Sequence, residues 1–161
     1  MQVMRLHYRA REKEIIQYVD VMSLYSFNCK YFKFPIGDPI FHVGNACINK
    51  EACLQVDGLI KCTIVPPRKL YHSVLPYRSN NKQLFSLCMS CVYERNISGE
   101  CTHLRDDERA PNGTWFLDEV RLGVEKVYRF LDIYEVYEYL ITQYSRETDE
   151  AGIVVDYINT F

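Results

Sequence analysis

The sequence predicts an α+β domain, and three observations predict it. Short runs rich in β-branched and aromatic residues, such as 59–65 and 131–139, are bounded by Gly, Pro and Asn and read as strands. One stretch, Val120, Val124, Val127, Tyr128 and Leu131, repeats its apolar residues at helical spacing. The elements run strand, β-rich middle, strand, helix, strand, helix, which is not the regular alternation of a doubly wound sheet. With 161 residues, 48% of them hydrophobic, the chain is long enough for one core.

Residues 1–13 contain Arg5, Arg9, Arg11 and Lys13 without an apolar period, and read as an arm. Residues 14–22 are short and β-branched, which favours a strand. Period two then puts Ile15, Val19 and Val21 on one face and Ile16, Tyr18, Asp20 and Met22 on the other. A carboxylate, Asp20, ends this strand among aromatic and apolar neighbours. Residues 23–31 suit a short helix or turn. Pro35, Gly37 and Pro39 are expected to close it and to exclude a regular element at 34–39. Residues 40–57 carry no clear period. Residues 59–65 read as a strand closed by Pro66 and Pro67. Residues 74–78 and 83–87 flank Asn80-Asn81, a hairpin turn signal. Residues 94–112 are polar turn formers. Residues 114–117 read as a strand entering a helix at Asp118, whose carboxylate suits an N-cap. The tail, 149–161, suits a helix with Val154, Tyr157, Ile158 and Phe161 on one face.

The net charge of −2 hides an asymmetry. Residues 1–105 carry 14 Lys/Arg against 8 Asp/Glu, and residues 106–161 carry 5 against 13. Residues 59–93 hold Lys61, Arg68, Lys69, Arg78 and Lys82 and no acid, with Tyr71 and Tyr77 interleaved. Such a surface either binds phosphates by charge and bases by stacking, or is a solvated basic face. No apolar run approaches membrane-helix length and no signal-peptide pattern opens the chain. The expected location is therefore intracellular, nucleus or cytoplasm, not secreted, with no membrane partner.

Seven cysteines is an odd count and argues against a disulfide framework. Cys29, Cys47, Cys53 and Cys62 are scattered and fit small buried thiols. Cys88-x-x-Cys91 followed by Cys101-x-His103 is different, because these types and spacings can supply the four ligands of a structural Zn2+. The rival reading is free or redox-active thiols, and the tight spacing of the second pair favours it. His7, His42 and His72 look isolated.

Asp20-Val21-Met22-Ser23-Leu24-Tyr25 resembles the first palm motif of the family B DNA polymerases. The resemblance continues through 33–39, 58–62, 113–120 and 127–135, in the order found in the protein-primed branch of viruses, linear plasmids and self-synthesising transposons. It covers roughly residues 14–161. It implies a partial polymerase palm, a mixed sheet with helices on one face, carrying a small β-rich insertion. Residues 1–13 would be an exonuclease–palm junction or arm. Residues 14–40 would hold the first carboxylate motif. Residues 41–112 would be the insertion that meets the terminal (priming) protein, and 113–161 would continue the palm towards the fingers. Asp20 would hold Mg2+ (or Mn2+), because a hard divalent cation needs oxygen ligands, and the carbonyl of Val21 would adjoin it. Ser23 and Leu24 would lie under the triphosphate of the incoming dNTP. Tyr25 would pack under its sugar and exclude a 2′-OH. Lys61, Arg68, Lys69, Arg78 and Lys82 would contact the DNA template-primer. One departure is Ser26, where the family usually has Pro.

Two-metal nucleotidyl transfer needs a second carboxylate motif, usually Tyr-x-Asp-Thr-Asp, and the sequence contains none. The family's nucleotide-binding helix motif is also missing. These absences read as a fragment of a longer enzyme. A different reading is a domesticated, non-catalytic DNA- or protein-binding module derived from a transposon polymerase. An open frame past Phe161 reaching the second motif favours the first, and an intact stop codon with sustained expression favours the second. Pure 161-residue chain is expected to incorporate no dNTP. Measurable incorporation, lost on Asp20→Ala, would overturn that expectation.

Overall fold

The structure is a computed structural model and describes residues 10–160, apart from 18, 48, 97–98, 146 and 148–151. Its elements are α1 (Leu24–Tyr31), β1 (Phe34–Val43), a 3-10 turn (Gly44–Cys47), α2 (Lys50–Cys53), β2 (Gly58–Val65), β3 (Tyr77–Ser79), β4 (Lys82–Leu84), α3 (Met89–Tyr93), α4 (Asp106–Arg109), β5 (Asn112–Phe116), α5 (Leu117–Glu125), β6 (Arg129–Thr142) and α6 (Val155–Asn159). The α+β class expected from the sequence is borne out. The described residues fall into two compact units, one made of residues up to Phe34 and from Thr142 on, the other of Pro35–Ile141. No helix among the described residues is long and apolar enough to cross a membrane.

The larger unit is built on a four-stranded sheet of order β1-β6-β2-β5. β2 is antiparallel to both β5 and β6. It alternates over Ile60–Ile64: Ile60, Cys62 and Ile64 are fully buried, Lys61 and Thr63 are half-buried on the other face, and Val65 is buried at the end of the strand. Burying each Ile contributes roughly 1.5–3 kcal/mol. Burial also pushes the Cys62 thiol up to about 12, so it behaves as a small hydrophobe.

β6 keeps its apolar residues on that face by an irregular route. Ile60, Cys62 and Ile64 oppose Val136, Ile133 and Phe130, with register shifts between Lys61 and Cys62 and between Thr63 and Ile64. Each shift leaves one extra β6 residue, Tyr134 and then Leu131, out of register with β2. Such bulges let residues three apart share one face of a strand. Around this seam pack Trp115, Leu117, Val120, Tyr128, Leu75, Cys47 and Cys53. The polar tips of the two buried aromatics are satisfied. Trp115 Nε1 donates to the Pro76 carbonyl (2.7 Å), and Tyr128 Oη meets Ser73 Oγ and the Val74 N–H (both 3.0 Å).

Several expectations need correction. Residues 14–17 and 19–22 form no strand, and Tyr18 lies outside the described residues. Ile15, Val19 and Met22 are 83%, 78% and 88% exposed. A β-prone run gains its hydrogen bonds only from a neighbouring strand, and among the described residues this run has none. Residues 34–39 do lie in a regular element, β1. It is an edge strand, where a missing N–H need not break the ladder, and Gly37 takes φ 69°.

The helix that the sequence extended to Leu131 stops at Glu125. Val127 turns left-handed (φ 67°), Tyr128 enters the core from that turn, and Leu131 belongs to β6. Asp118 lies inside the first turn of α5, not at its cap, and pairs with Arg121 at 2.5 Å. Glu119 instead accepts from the Phe116 N–H (3.4 Å). The tail helix is five residues long, and Phe161 lies outside the described residues. His42 is not isolated, since its Nε2 lies 2.6 Å from Glu138 Oε2, and Phe41 meets the Tyr137 ring edge-on. His7 lies outside the described residues.

The Asn80-Asn81 hairpin is as expected, with both residues left-handed (φ 49° and 58°) and Tyr77 opposite Leu84. At the head of β2, Gly58 has φ 146°, and a Cβ there would stand 1.9 Å from the Tyr137 carbonyl oxygen. That oxygen is main chain in a paired strand and has nowhere to retreat. Gly58→Ala is expected to destabilise the Pro35–Ile141 unit by about 2–4 kcal/mol, read as a lower urea midpoint at unchanged slope.

Candidate catalytic carboxylate and metal-binding cluster

The Asp20 motif lies at the entry to α1. Asp20 and Val21 are exposed and outside regular structure, Met22 and Ser23 form a turn, and Leu24 begins the helix. The strand-to-turn junction expected from the sequence is thus a loop-to-helix junction. Ser23 is left-handed (φ 56°, ψ 27°) and Leu24 is helical. A left-handed residue followed by a right-handed one turns successive N–H groups to one side, a concavity suited to anions. No side chain caps this helix start. The first ladder bond is Phe27 N–H to the Ser23 carbonyl (2.8 Å), so the N–H groups of Leu24, Tyr25 and Ser26 are not used by the helix. Position 26 is therefore one where proline and serine are interchangeable for the ladder, because the N–H that proline lacks has no helical partner. Tyr25 is 87% exposed on the first turn.

Among the described residues, Asp20 joins no group of three or more potential metal donors. It offers one carboxylate. That suits Mg2+, which is commonly held by one or two carboxylates together with substrate phosphates and waters.

The five basic residues of 59–93 divide into two kinds. Lys61, on β2, bonds Glu135 across the sheet at 3.1 Å. Glu135 also accepts from Tyr137 Oη (2.6 Å), and that hydrogen bond, with Lys61 second, holds its carboxyl below the usual carboxylate range. Arg68 donates to the main-chain carbonyls of His103 (3.0 Å) and Leu104. Lys69, Arg78 and Lys82 are exposed, the last two on the β3–β4 hairpin. Tyr71 is also exposed, and Tyr77 Oη meets Tyr93 Oη at 3.1 Å.

Sequence reasoning missed two structural arginines. Arg109 is buried and donates to the carbonyls of Pro66 (3.1 Å) and Leu87 (3.3 Å). Arg121 ties α5 to the loop before β2 through the carbonyls of Leu54 and Val56 and the carboxylate of Asp57. Nothing in a run such as Asp106-Asp107-Glu108-Arg109 distinguishes it from a solvated charge cluster.

Cys88, Cys91, Cys101 and His103 are brought together, with their donor atoms all within 4.8 Å of one another. Cys88 immediately precedes α3, Cys91 lies inside it, and Cys101 and His103 come from the loop before α4. His103 Nδ1 is 3.6 Å from Cys88 Sγ, 3.6 Å from Cys91 Sγ and 3.8 Å from Cys101 Sγ. Its other nitrogen, Nε2, bonds Glu94 Oε1 at 3.0 Å. Glu94 carries no signal in the sequence, because it lies in the polar turn after α3 and shares no spacing with the histidine.

Burial pushes the Cys91 thiol up to about 12, helped by its hydrogen bonds with Cys101 and Cys88. Burial would raise Cys101 too, but hydrogen bonds, those with His103 foremost, outweigh it and bring the thiol to about 7. The bond to Cys101, and next that to Glu94, raises His103. All seven cysteines are free. Three sulfurs converging on one ring nitrogen form a donor set able to hold a metal ion. The scattered thiols are less scattered than expected: Cys47 and Cys53 are neighbours, both buried.

Neither a curated protein nor a solved structure matches the chain. A family model does, over residues 2–143, and it describes the type B DNA polymerases of organelles and viruses. That match takes in the Asp20 motif, the basic hairpin, the cysteine–histidine cluster and the whole four-stranded sheet, and the chain belongs to the organellar and viral type B DNA polymerase family.

Proposed function

We propose that this chain serves a protein-primed DNA polymerase, which adds dNTPs to a primer hydroxyl supplied first by a terminal protein. The observation that carries the reading is Asp20-x-x-Ser23-Leu24-Tyr25 at the entry to a helix, inside a type B polymerase match. The Asp20 carboxylate would hold Mg2+ (or Mn2+), and the Val21 carbonyl lies next to it in sequence. When bound, the ion activates the primer hydroxyl and neutralises phosphate charge.

The residues themselves do the rest. The turn at Ser23 presents the unused N–H groups of Leu24 and Tyr25, which donate to phosphate oxygens of the dNTP. The Tyr25 ring, free of packing in this structure, lies under the deoxyribose and leaves no room for a 2′-OH. The region 41–112 meets the terminal protein and the DNA. Lys69, Arg78 and Lys82 carry exposed charge to the phosphates, while Lys61 and Arg68 contribute from positions already bonded within the fold.

Primer extension by the polymerase that contains this chain tests the reading. Asp20→Ala should lower incorporation by at least about a hundredfold, the scale of losing one electrostatic contact to the transition state. Its melting temperature should not change, because Asp20 is exposed. Tyr25→Ala should raise ribonucleotide use relative to deoxyribonucleotide use by about tenfold or more, equivalent to about 1.4 kcal/mol of discrimination. Full activity in Asp20→Ala would refute the assignment. Duplex binding by the chain should weaken with salt, and the combined alanine variant of Lys69, Arg78 and Lys82 should flatten the log–log slope by about 0.9 for each phosphate no longer neutralised. An unchanged slope would remove these three from the DNA surface.

A further inference from the structure

The geometry points to a structural zinc centre in this chain: Cys88, Cys91, Cys101 and His103 hold one Zn2+, with His103 bound through Nδ1 and oriented by Glu94. The inference rests on the cluster alone and stands or falls independently of the polymerase reading.

The sulfur-to-nitrogen distances are those of a tetrahedron. With Zn–S about 2.3 Å and Zn–N about 2.0–2.1 Å, the sulfur-to-nitrogen edges of a regular site come to roughly 3.6 Å. The three edges here are 3.6, 3.6 and 3.8 Å. The sulfurs lie within 4.8 Å of one another and would draw in to about 3.8 Å around an ion. Three thiolates and an imidazole are soft to borderline donors, which select Zn2+ over Mg2+ or Ca2+. Four protein ligands fill the tetrahedron and leave no open position, so the role is structural rather than catalytic.

The surroundings supply what such a site needs. A zinc-bound histidine fixes its tautomer by donating its second nitrogen to a carboxylate, and Nε2 lies 3.0 Å from Glu94 Oε1. The histidine is well enclosed, its side chain 15% exposed, and Cys88 is buried. A disulfide is a poorer account of the same cluster, since it pairs two sulfurs and leaves the third, together with the aimed histidine, unexplained.

The segment also has no regular structure to hold its shape. From Asn96 to Leu104 the described residues form no regular element. Asn96 closes a local turn with Gly99 and Glu100, and the rest is anchored by the cluster and by Arg68, which grips the carbonyls of His103 and Leu104. The ion thus joins α3 to the loop before α4, and through Arg68 fixes the turn that follows β2. In a loop with so little apolar content, metal binding energy replaces a core.

The test uses the full 161-residue chain purified under reducing conditions. Elemental analysis and native mass spectrometry should find one zinc per chain. Exchange with Co2+ should give the strong visible bands and thiolate charge transfer of a tetrahedral site. Glu94→Gln keeps all four ligands, so it should still bind one zinc, with affinity lowered about 10- to 100-fold in a chelator competition. Cys29→Ser, at an exposed thiol outside the cluster, should leave affinity unchanged. Zinc-free protein that also gives no tetrahedral Co2+ spectrum would overturn the centre, as would a disulfide within the cluster. Unchanged affinity in Glu94→Gln would overturn the role of Glu94.

Discussion

The larger unit depends on one strand. β2 is flanked by antiparallel partners on both sides and puts three fully buried side chains, Ile60, Cys62 and Ile64, at the centre of the core. Each neighbour must match that row. β5 does so directly and brings Trp115 opposite Ile60. β6 does so by adding a residue twice, and α5 closes the row with Leu117 and Val120. The close approach at Gly58 follows from the same demand, because the start of β2 must fit against the main chain of Tyr137.

The parts of the fold that were legible in the sequence are those decided locally. β2 alternates over Ile60–Ile64 and is followed by two prolines, and the β3–β4 turn needs only two asparagines able to turn left-handed. The errors arose where distant partners decide. Val120, Val124, Val127, Tyr128 and Leu131 have helical spacing, yet the chain leaves the helix at Lys126 and reaches the core again from a turn. Residues 14–22 have strand propensity and no described partner. Pro35 and Pro39 looked decisive against a strand because their effect depends on whether the strand is central or at an edge, which local sequence does not carry.

The candidate sites divide in the same way. The cysteine–histidine set was visible from spacing, because metal ligands must come in clusters and clusters leave short intervals. Its supporting residues were not, since Glu94 and Arg68 reach it through folding and carry no interval of their own. The Asp20 motif was visible only as a known order of residues. Its local geometry, a left-handed serine feeding an uncapped helix, adds a physical reason for that order, and serine at position 26 costs the helix ladder no bond.

The composition of β1 has a consequence for how the molecule behaves in a crowded solution. An unpaired strand edge is a template on which other chains can add, and long regular edges nucleate aggregates. Here the edge strand contains two residues without an N–H and a left-handed glycine, features that break the regularity a foreign strand would need. The opposite edge, β5, is only five residues long. The same prolines that argued against a strand in the sequence thus protect the sheet from its own kind.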